Sequence, residues 1–118
     1  MTAKRILIVE DEPLIAMMLE DFLESLGHKV HAHCETLGDA IEVIEGGGFD
    51  GAVLDVNLRG EHVWPAAKLM REKSLPFLIA SGGHVDEPPA EFAAVPMLDK
   101  PFTIHRVEGA VQKLFAAE

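Results

Sequence analysis

Residues 5–13 read Arg-Ile-Leu-Ile-Val-Glu-Asp-Glu-Pro, an apolar run followed by three acids and a proline. Its four consecutive apolar residues predict a short strand, because runs rich in β-branched side chains favour an extended backbone. Strands that are apolar on consecutive rather than alternate residues are covered on both faces, as in a parallel sheet. Pro13 suits the first turn of a helix, where its missing N–H needs no partner. The stretch therefore predicts a buried strand followed by a helix, with three acids at the junction.

The same strand and helix unit recurs along the chain. Further strands are predicted at 29–34, 51–55, 77–80 and 95–99, and helices at 13–26, 37–46, 62–73 and 104–115, with a short helix around 89–94. Strands that alternate with helices in this way form one parallel sheet with helices on both faces. The sequence therefore predicts an α/β fold with a doubly wound five-stranded parallel sheet.

The first helix carries an apolar face with helical spacing. Its predicted inward residues are Leu14, Ile15, Met18, Leu19, Phe22, Leu23 and Leu26. Met17 and Met18 are both expected to pack in the core, since flexible thioether side chains fill irregular gaps.

Length and charge limit the function classes. The 118 residues predict a single domain, 1–118. A formal net charge of −10 disfavours nucleic acid as a partner, because its phosphates would be repelled. The chain has no apolar run of the ~20 residues that a membrane-spanning helix needs. The apolar run near its N-terminus is too short for a secretory signal. We therefore expect a cytoplasmic protein with no membrane partner.

Polar and charged side chains follow the predicted strands at their carboxyl ends. They are Glu10 and Asp11 after the first strand, Asp55 at the end of the third with Asn57 two residues on, Ser81 after the fourth, and Lys100 after the fifth. The carboxyl ends of parallel strands meet at one edge of the sheet, where open α/β sheets bind their ligands. We therefore expect these side chains to form one site.

The residue types at this edge favour phosphoryl chemistry with Mg²⁺. Clustered carboxylates repel one another and resist ionisation, and a bound cation relieves that repulsion. Mg²⁺ prefers oxygen ligands and keeps several waters, so Asp11 and Asp55 would bind it directly and Glu10 through water. Asp55, the central acid, would attack a phosphoryl group. Lys100 and the Ser81 hydroxyl would each meet one phosphoryl oxygen.

In their order and placement, these residues resemble the receiver domain of two-component response regulators. The residues that carry the resemblance are Glu10-Asp11, Asp55, Ser81 and Lys100-Pro101, and it extends from Arg5 to Phe115. It implies a flavodoxin-like fold with strand order 2-1-3-4-5 and a cis bond between Lys100 and Pro101.

The resemblance also implies roles and partners. Asp55 would be the phosphoacceptor, paired with Lys100, and the backbone carbonyl of Asn57 would complete the protein ligands of Mg²⁺. A histidine kinase or a histidine phosphotransfer protein would supply the phosphoryl group. A downstream protein would bind the face formed by the fourth helix, the fifth strand and the fifth helix.

Two features depart from the common receiver pattern. Met97 stands three residues before the lysine, where many receivers carry an aromatic residue that rotates inward on phosphorylation. Ser81 replaces the more frequent threonine and precedes Gly82-Gly83, which is similar to a variant subclass of stand-alone receivers. Both departures concern the output mechanism more than the phosphorylation.

Other functions remain possible from the residues. A receiver-like module that binds partners without phosphate fits the Met97 departure. A Mg²⁺-dependent phosphohydrolase would need a second acid shortly after Asp55, which Val56-Asn57 does not supply. A metal site built from His31 and His33, expected on one face of the second strand, has no zinc spacing to support it. His62, His84 and His105 are expected at the surface.

Overall fold

The computed structural model describes residues 3–82 and 88–116. Its main sheet has five strands: β1 Arg5–Val9, β2 Lys29–Cys34, β3 Gly51–Asp55, β4 Phe77–Ser81 and β5 Met97–Asp99. The helices are α1 Pro13–Ser25, α2 Leu37–Gly46, α3 Trp64–Glu72 and α4 Ile104–Ala116. All strand pairs in this sheet are parallel, and the order is β2-β1-β3-β4-β5. The predicted doubly wound α/β fold and its strand order 2-1-3-4-5 are confirmed.

Each face of the sheet has its own core. Leu7 and Val9 of β1 pack on the side of α2 and α3, whereas Ile6 and Ile8 pack on the side of α1 and α4. Side chains alternate between the faces of a strand, so a strand between two helical layers must be apolar at every position. The consecutive apolar residues of 6–9 follow from this two-sided burial.

The third helix begins later than its pattern predicted. His62, predicted as its first residue, lies instead in a small antiparallel hairpin between Asn57–Leu58 and Glu61–His62. The hairpin turns at Arg59 and Gly60, whose φ angles are 51° and 88°. Two adjacent positive φ angles match the twist of a tight hairpin. This tight turn places Glu61 and His62 in a strand, so the third helix begins only at Trp64.

The segment before β5 is less regular than predicted. The predicted helix around 89–94 is a single 3₁₀ turn, Ala90–Phe92, and the strand predicted at 95–99 begins only at Met97. Phe92 is buried and holds this turn against the fold, with its ring 5.5 Å from Trp64 and 6.0 Å from Phe77. Residues 83–87, which include Gly83 and His84, lie outside the described part of the chain.

The prediction that Leu14 and Met17 pack in the core is wrong. Leu14 is 79% exposed and Met17 59% exposed. The buried face of α1 is centred on Ala16, Leu19 and Leu23. Leu14 lies about 200° around the helix from Ala16, because each residue turns the chain by ~100°. Within the described residues, no helix has the length and apolar character to cross a membrane.

Candidate functional site

Three acids lie together at the carboxyl edge of the sheet. Glu10 follows β1, Asp11 comes next, and Asp55 ends β3. One oxygen from each of the three carboxylates lies within 4.8 Å of the other two. Glu10 and Asp55 are buried, at 2% and 7% exposure. The sequence predicted that these three acids would meet, because each lies at or just after the end of a strand.

Lys100 contributes the positive charge of the site. Its Nζ lies 2.6 Å from Glu10 Oε1 and 3.3 Å from Asp55 Oδ2. Its backbone N–H donates to the Ser81 carbonyl at 2.8 Å, which joins the end of β5 to the end of β4. The peptide bond between Lys100 and Pro101 is cis, as predicted.

Burial disfavours ionisation of two acids of the site, Glu10 and Asp55. Burial raises the pKa of Glu10 to about 7, although the Lys100 ammonium acts in the opposite direction. Burial also raises the pKa of Asp55, against the lowering effect of its bonds to Glu10 and Lys100. Burial acts to lower the pKa of Lys100, but its contacts with Glu10 and Asp55 outweigh burial and raise it. Lys100 thus compensates the buried carboxylates only in part.

Asp11 lies nearer to solvent and is held by the hairpin. The backbone N–H of Arg59 donates to Asp11 Oδ2 at 3.0 Å. Burial acts to raise the pKa of Asp11, but hydrogen bonds, first of all the one from Arg59, lower it overall. The Arg59 guanidinium also pairs with Glu35 at 3.0 Å. Sequence reasoning missed Arg59, although Gly60 next to it is a turn signal that could have placed it.

Ser81 lies at the same edge but makes an unexpected contact. It is buried, and its hydroxyl donates to Asp99 Oδ1 at 3.3 Å. Its neighbour Ala80 is the register partner of Asp55. Asn57 is exposed in the first strand of the hairpin, two residues past Asp55. Asp99 was not among the predicted site residues, since only the pairing of β4 with β5 brings it to Ser81.

The histidines of β2 do not form a joint site. A bulge leaves His31 without a register partner on β1, and its ring stacks on Phe49 at 5.2 Å. His33 contacts the Glu10 carbonyl through Nε2 at 2.9 Å. Among the described residues, only Glu10, Asp11 and Asp55 are grouped as a metal site would require. His62 and His105 are exposed, as predicted.

The arrangement fits a small divalent cation. Its donors are carboxylate oxygens, which hard cations such as Mg²⁺ prefer. Burial is the main cause of the raised pKa values of Glu10 and Asp55, and a neighbouring carboxylate raises each of them further, because the acids repel one another. A cation bound there would offset that repulsion and favour the ionised carboxylates.

Comparison with known proteins agrees with this geometry. The family model described as the response regulator receiver domain matches residues 6–112. A curated relative, the sensory transduction protein LytR of Staphylococcus haemolyticus, is 31% identical over 112 residues, covering 92% of this chain and 44% of LytR. The chain thus spans less than half the length of that relative.

Solved structures are similar over nearly the whole chain. The solution structure of SdrG from Sphingomonas melonis Fr1 is 46% identical, with a TM-score of 0.88, and 97% of this chain and 98% of SdrG are covered. The structure of the BeF3-activated conformation of SdrG, from Pseudomonas melonis Fr1, covers the same shares at 46% identity, with a TM-score of 0.82. With the family model matched from residue 6 to residue 112, the chain belongs to the response regulator receiver domain family of two-component signalling.

Proposed function

We propose that this chain accepts a phosphoryl group on Asp55 and passes the change to a partner protein by direct contact. The observation that carries the proposal is the setting of Asp55. Its carboxylate is buried at the end of β3, 3.3 Å from the Lys100 ammonium and within 4.8 Å of two further acids. A nucleophile placed beside a fixed cation in a water-poor site is the arrangement that phosphoryl transfer needs.

The proposed donor is a phosphohistidine of a histidine kinase or of a histidine phosphotransfer protein. An Asp55 carboxylate oxygen attacks phosphorus, and the new O–P bond forms as the P–N bond of the donor breaks. The electron pair of the broken bond stays on the histidine nitrogen, which can take a proton. Negative charge in the transition state is spread over the equatorial phosphoryl oxygens. Lys100 would meet one of them, since its ammonium already lies against Asp55.

Mg²⁺ is the proposed cofactor. Asp11 and Asp55 would bind it directly, Glu10 through water, and Asn57 through its backbone carbonyl. A bound Mg²⁺ supplies positive charge that lets the clustered carboxylates stay ionised and offsets phosphoryl charge. The support for this role is the group of three acids and the raised pKa of Glu10, about 7.

The proposed output is a protein contact on the face formed by the 3₁₀ turn, β5 and α4. Met97 is 45% exposed on this face, in the position three before Lys100 where many receivers have an aromatic residue. Transfer adds about −1.5 to −2 charges at Asp55. Ser81 and Lys100, which join β4 and β5 to the site, are the groups through which that charge would act on the face.

A second candidate is a module that binds its partner without phosphate. The exposed Met97 favours it, because the side chain that usually couples the site to this face is missing. The two candidates differ in whether Asp55 is modified at all.

The test is phosphorylation by a small donor. The chain is incubated with Mg²⁺ and acetyl phosphate, and its intact mass is measured beside Asp55→Asn and Asp21→Asn. Asp21 is an exposed aspartate on α1 and serves as the matched control. We expect one added phosphoryl group in the parent and in Asp21→Asn, and none in Asp55→Asn. If the folded parent gains none from acetyl phosphate or from a phosphorylated cognate kinase, the binding module is the better account.

A further inference from the structure

The Ser81 hydroxyl is hydrogen-bonded to Asp99 in this structure. Ser81 and Asp99 are register partners on β4 and β5, so their side chains leave the sheet side by side. The hydroxyl donates to Asp99 Oδ1 at 3.3 Å, and Ser81 is 3% exposed. A serine hydroxyl has one proton and can donate only one hydrogen bond. While Asp99 accepts that bond, the proton is not available to another acceptor.

The proposed function requires the Ser81 hydroxyl to donate to a different acceptor. If Ser81 is to meet an oxygen of a phosphoryl group on Asp55, its hydroxyl must leave Asp99. The bond to Asp99 is long for a hydroxyl donor, since such bonds usually measure ~2.5–3.0 Å. Asp99 is exposed, so water can solvate its carboxylate after the bond breaks. Breaking the contact is therefore possible but carries a cost.

We propose that Asp99 is a positioning residue that holds the Ser81 hydroxyl in the unphosphorylated protein and competes with the phosphoryl group for its proton. This inference rests on the proposed phosphorylation of Asp55. Asp99 lies two residues after Met97 on β5, so the two side chains share one side of this edge strand. When Asp55 is modified, loss of the Ser81 hydrogen bond would free the Asp99 carboxylate beside Met97 to bind water or a partner, which ties the site to the β5 face without an aromatic residue.

A double-mutant cycle tests the competition. Beryllofluoride binds carboxylates as a phosphoryl analogue, and ¹⁹F NMR counts the bound form directly. Its affinity is measured with Mg²⁺ for the parent, Asp99→Ala, Ser81→Ala and the double variant. Removing the competing acceptor should tighten binding about 2- to 10-fold in the parent, because a hydrogen bond contributes ~0.5–1.5 kcal/mol net. In the Ser81→Ala background, Asp99→Ala should have no such effect.

The cycle separates the local effect from general charge. Loss of any nearby acid favours an anion slightly, and Glu91→Gln, an exposed acid of the segment before β5, measures that background. If Asp99→Ala changes the affinity equally in both backgrounds, or in neither, the inference is overturned while the proposed function stands. If the parent does not bind beryllofluoride, the proposed function fails and the inference fails with it.

Discussion

At the scale of single residues, the position of Lys100 between two carboxylates is central to the site. Its Nζ lies closer to Glu10 than to Asp55, at 2.6 Å against 3.3 Å. In the proposed reaction the ammonium neutralises phosphoryl charge, whereas in the unmodified protein it compensates the acids that would hold Mg²⁺. Removing the Lys100 ammonium should therefore affect phosphoryl transfer and Mg²⁺ binding in different ways.

The Lys100→Met variant should separate the effect on phosphoryl uptake from the effect on Mg²⁺ affinity. We expect phosphoryl uptake from acetyl phosphate to slow by about 100-fold, the usual effect of losing one group that stabilises transition-state charge. Mg²⁺ affinity should stay equal or rise, because a competing cation has left the carboxylates. Intact mass over time measures the uptake, and isothermal titration calorimetry measures the metal. Weaker Mg²⁺ binding with normal uptake would contradict the assignment.

His28 gives a second prediction at this scale. It is 4% exposed, its Nδ1 accepts from the Lys4 N–H at 3.1 Å, and Nε2 has no partner among the described residues. Burial first, and the Lys4 charge second, lower the pKa of His28. The unfolded chain therefore takes up the proton more readily, so stability is full above pH ~6.5 and falls as the pH drops below it.

The comparison variant for this effect is His28→Asn, which keeps an acceptor for Lys4 but cannot titrate. The acids of the site shift stability in both proteins alike, so only the difference between parent and variant reports His28. Urea unfolding at pH 7, 6 and 5 should show the parent losing stability relative to the variant as the pH falls, by at most about 1.4 kcal/mol per pH unit. A constant difference would contradict the prediction.

At the scale of the elements, the sequence predicted strands and helices well where burial decides and poorly where local turns decide. The two-sided burial of β1 and β3 is visible in their consecutive apolar residues. The hairpin at Arg59-Gly60 was missed because its two strands have only two residues each, too few to show a pattern in the sequence. Asp99 could not be predicted as a partner of Ser81, because that contact depends on the register of β4 against β5.

The 3₁₀ turn before β5 depends on one aromatic side chain. Phe92 is buried against Trp64 and Phe77, and the Arg71 guanidinium lies 4.6 Å from the centre of its ring. Arg71 also donates to the Glu91 carbonyl. We expect Phe92→Ala to lower the free energy of unfolding by about 3–5 kcal/mol, since it removes a large core ring and leaves a cavity.

Urea unfolding followed by circular dichroism measures this loss, with Trp64, the one tryptophan, as a local fluorescent probe. Glu91→Gln, next to Phe92 but exposed, is the control and should change stability by less than about 0.5 kcal/mol. Equal stability of Phe92→Ala and the control would show that the turn is not held by this packing.

At the scale of the whole molecule, the fold brings three acids of a negatively charged chain together at one edge. The chain has a formal net charge of −10, and three acids converge where β1 and β3 end. A ligand that binds only the folded state stabilises the whole domain, by about 1.4 kcal/mol at ten times its Kd. Cation binding at this edge should therefore be measurable as global stability.

Mg²⁺ at ten times its Kd should raise Tm by about 5 °C. Asp11→Asn should abolish that rise, because it removes a proposed ligand while its amide oxygen can still accept the Arg59 N–H. Differential scanning calorimetry measures both proteins with Mg²⁺ and with EDTA, and Asp21→Asn is the matched control. An equal rise in parent and Asp11→Asn would place the cation elsewhere.

Locating the phosphoryl bond itself tests whether Asp55 is the acceptor. The chain is phosphorylated with acetyl phosphate and Mg²⁺, reduced with sodium borohydride, which converts an aspartyl phosphate to homoserine, digested, and sequenced by tandem mass spectrometry. We predict homoserine at position 55 and at no other aspartate. Homoserine at position 11, or phosphorylated protein with position 55 unchanged, would show that Asp55 is not the acceptor.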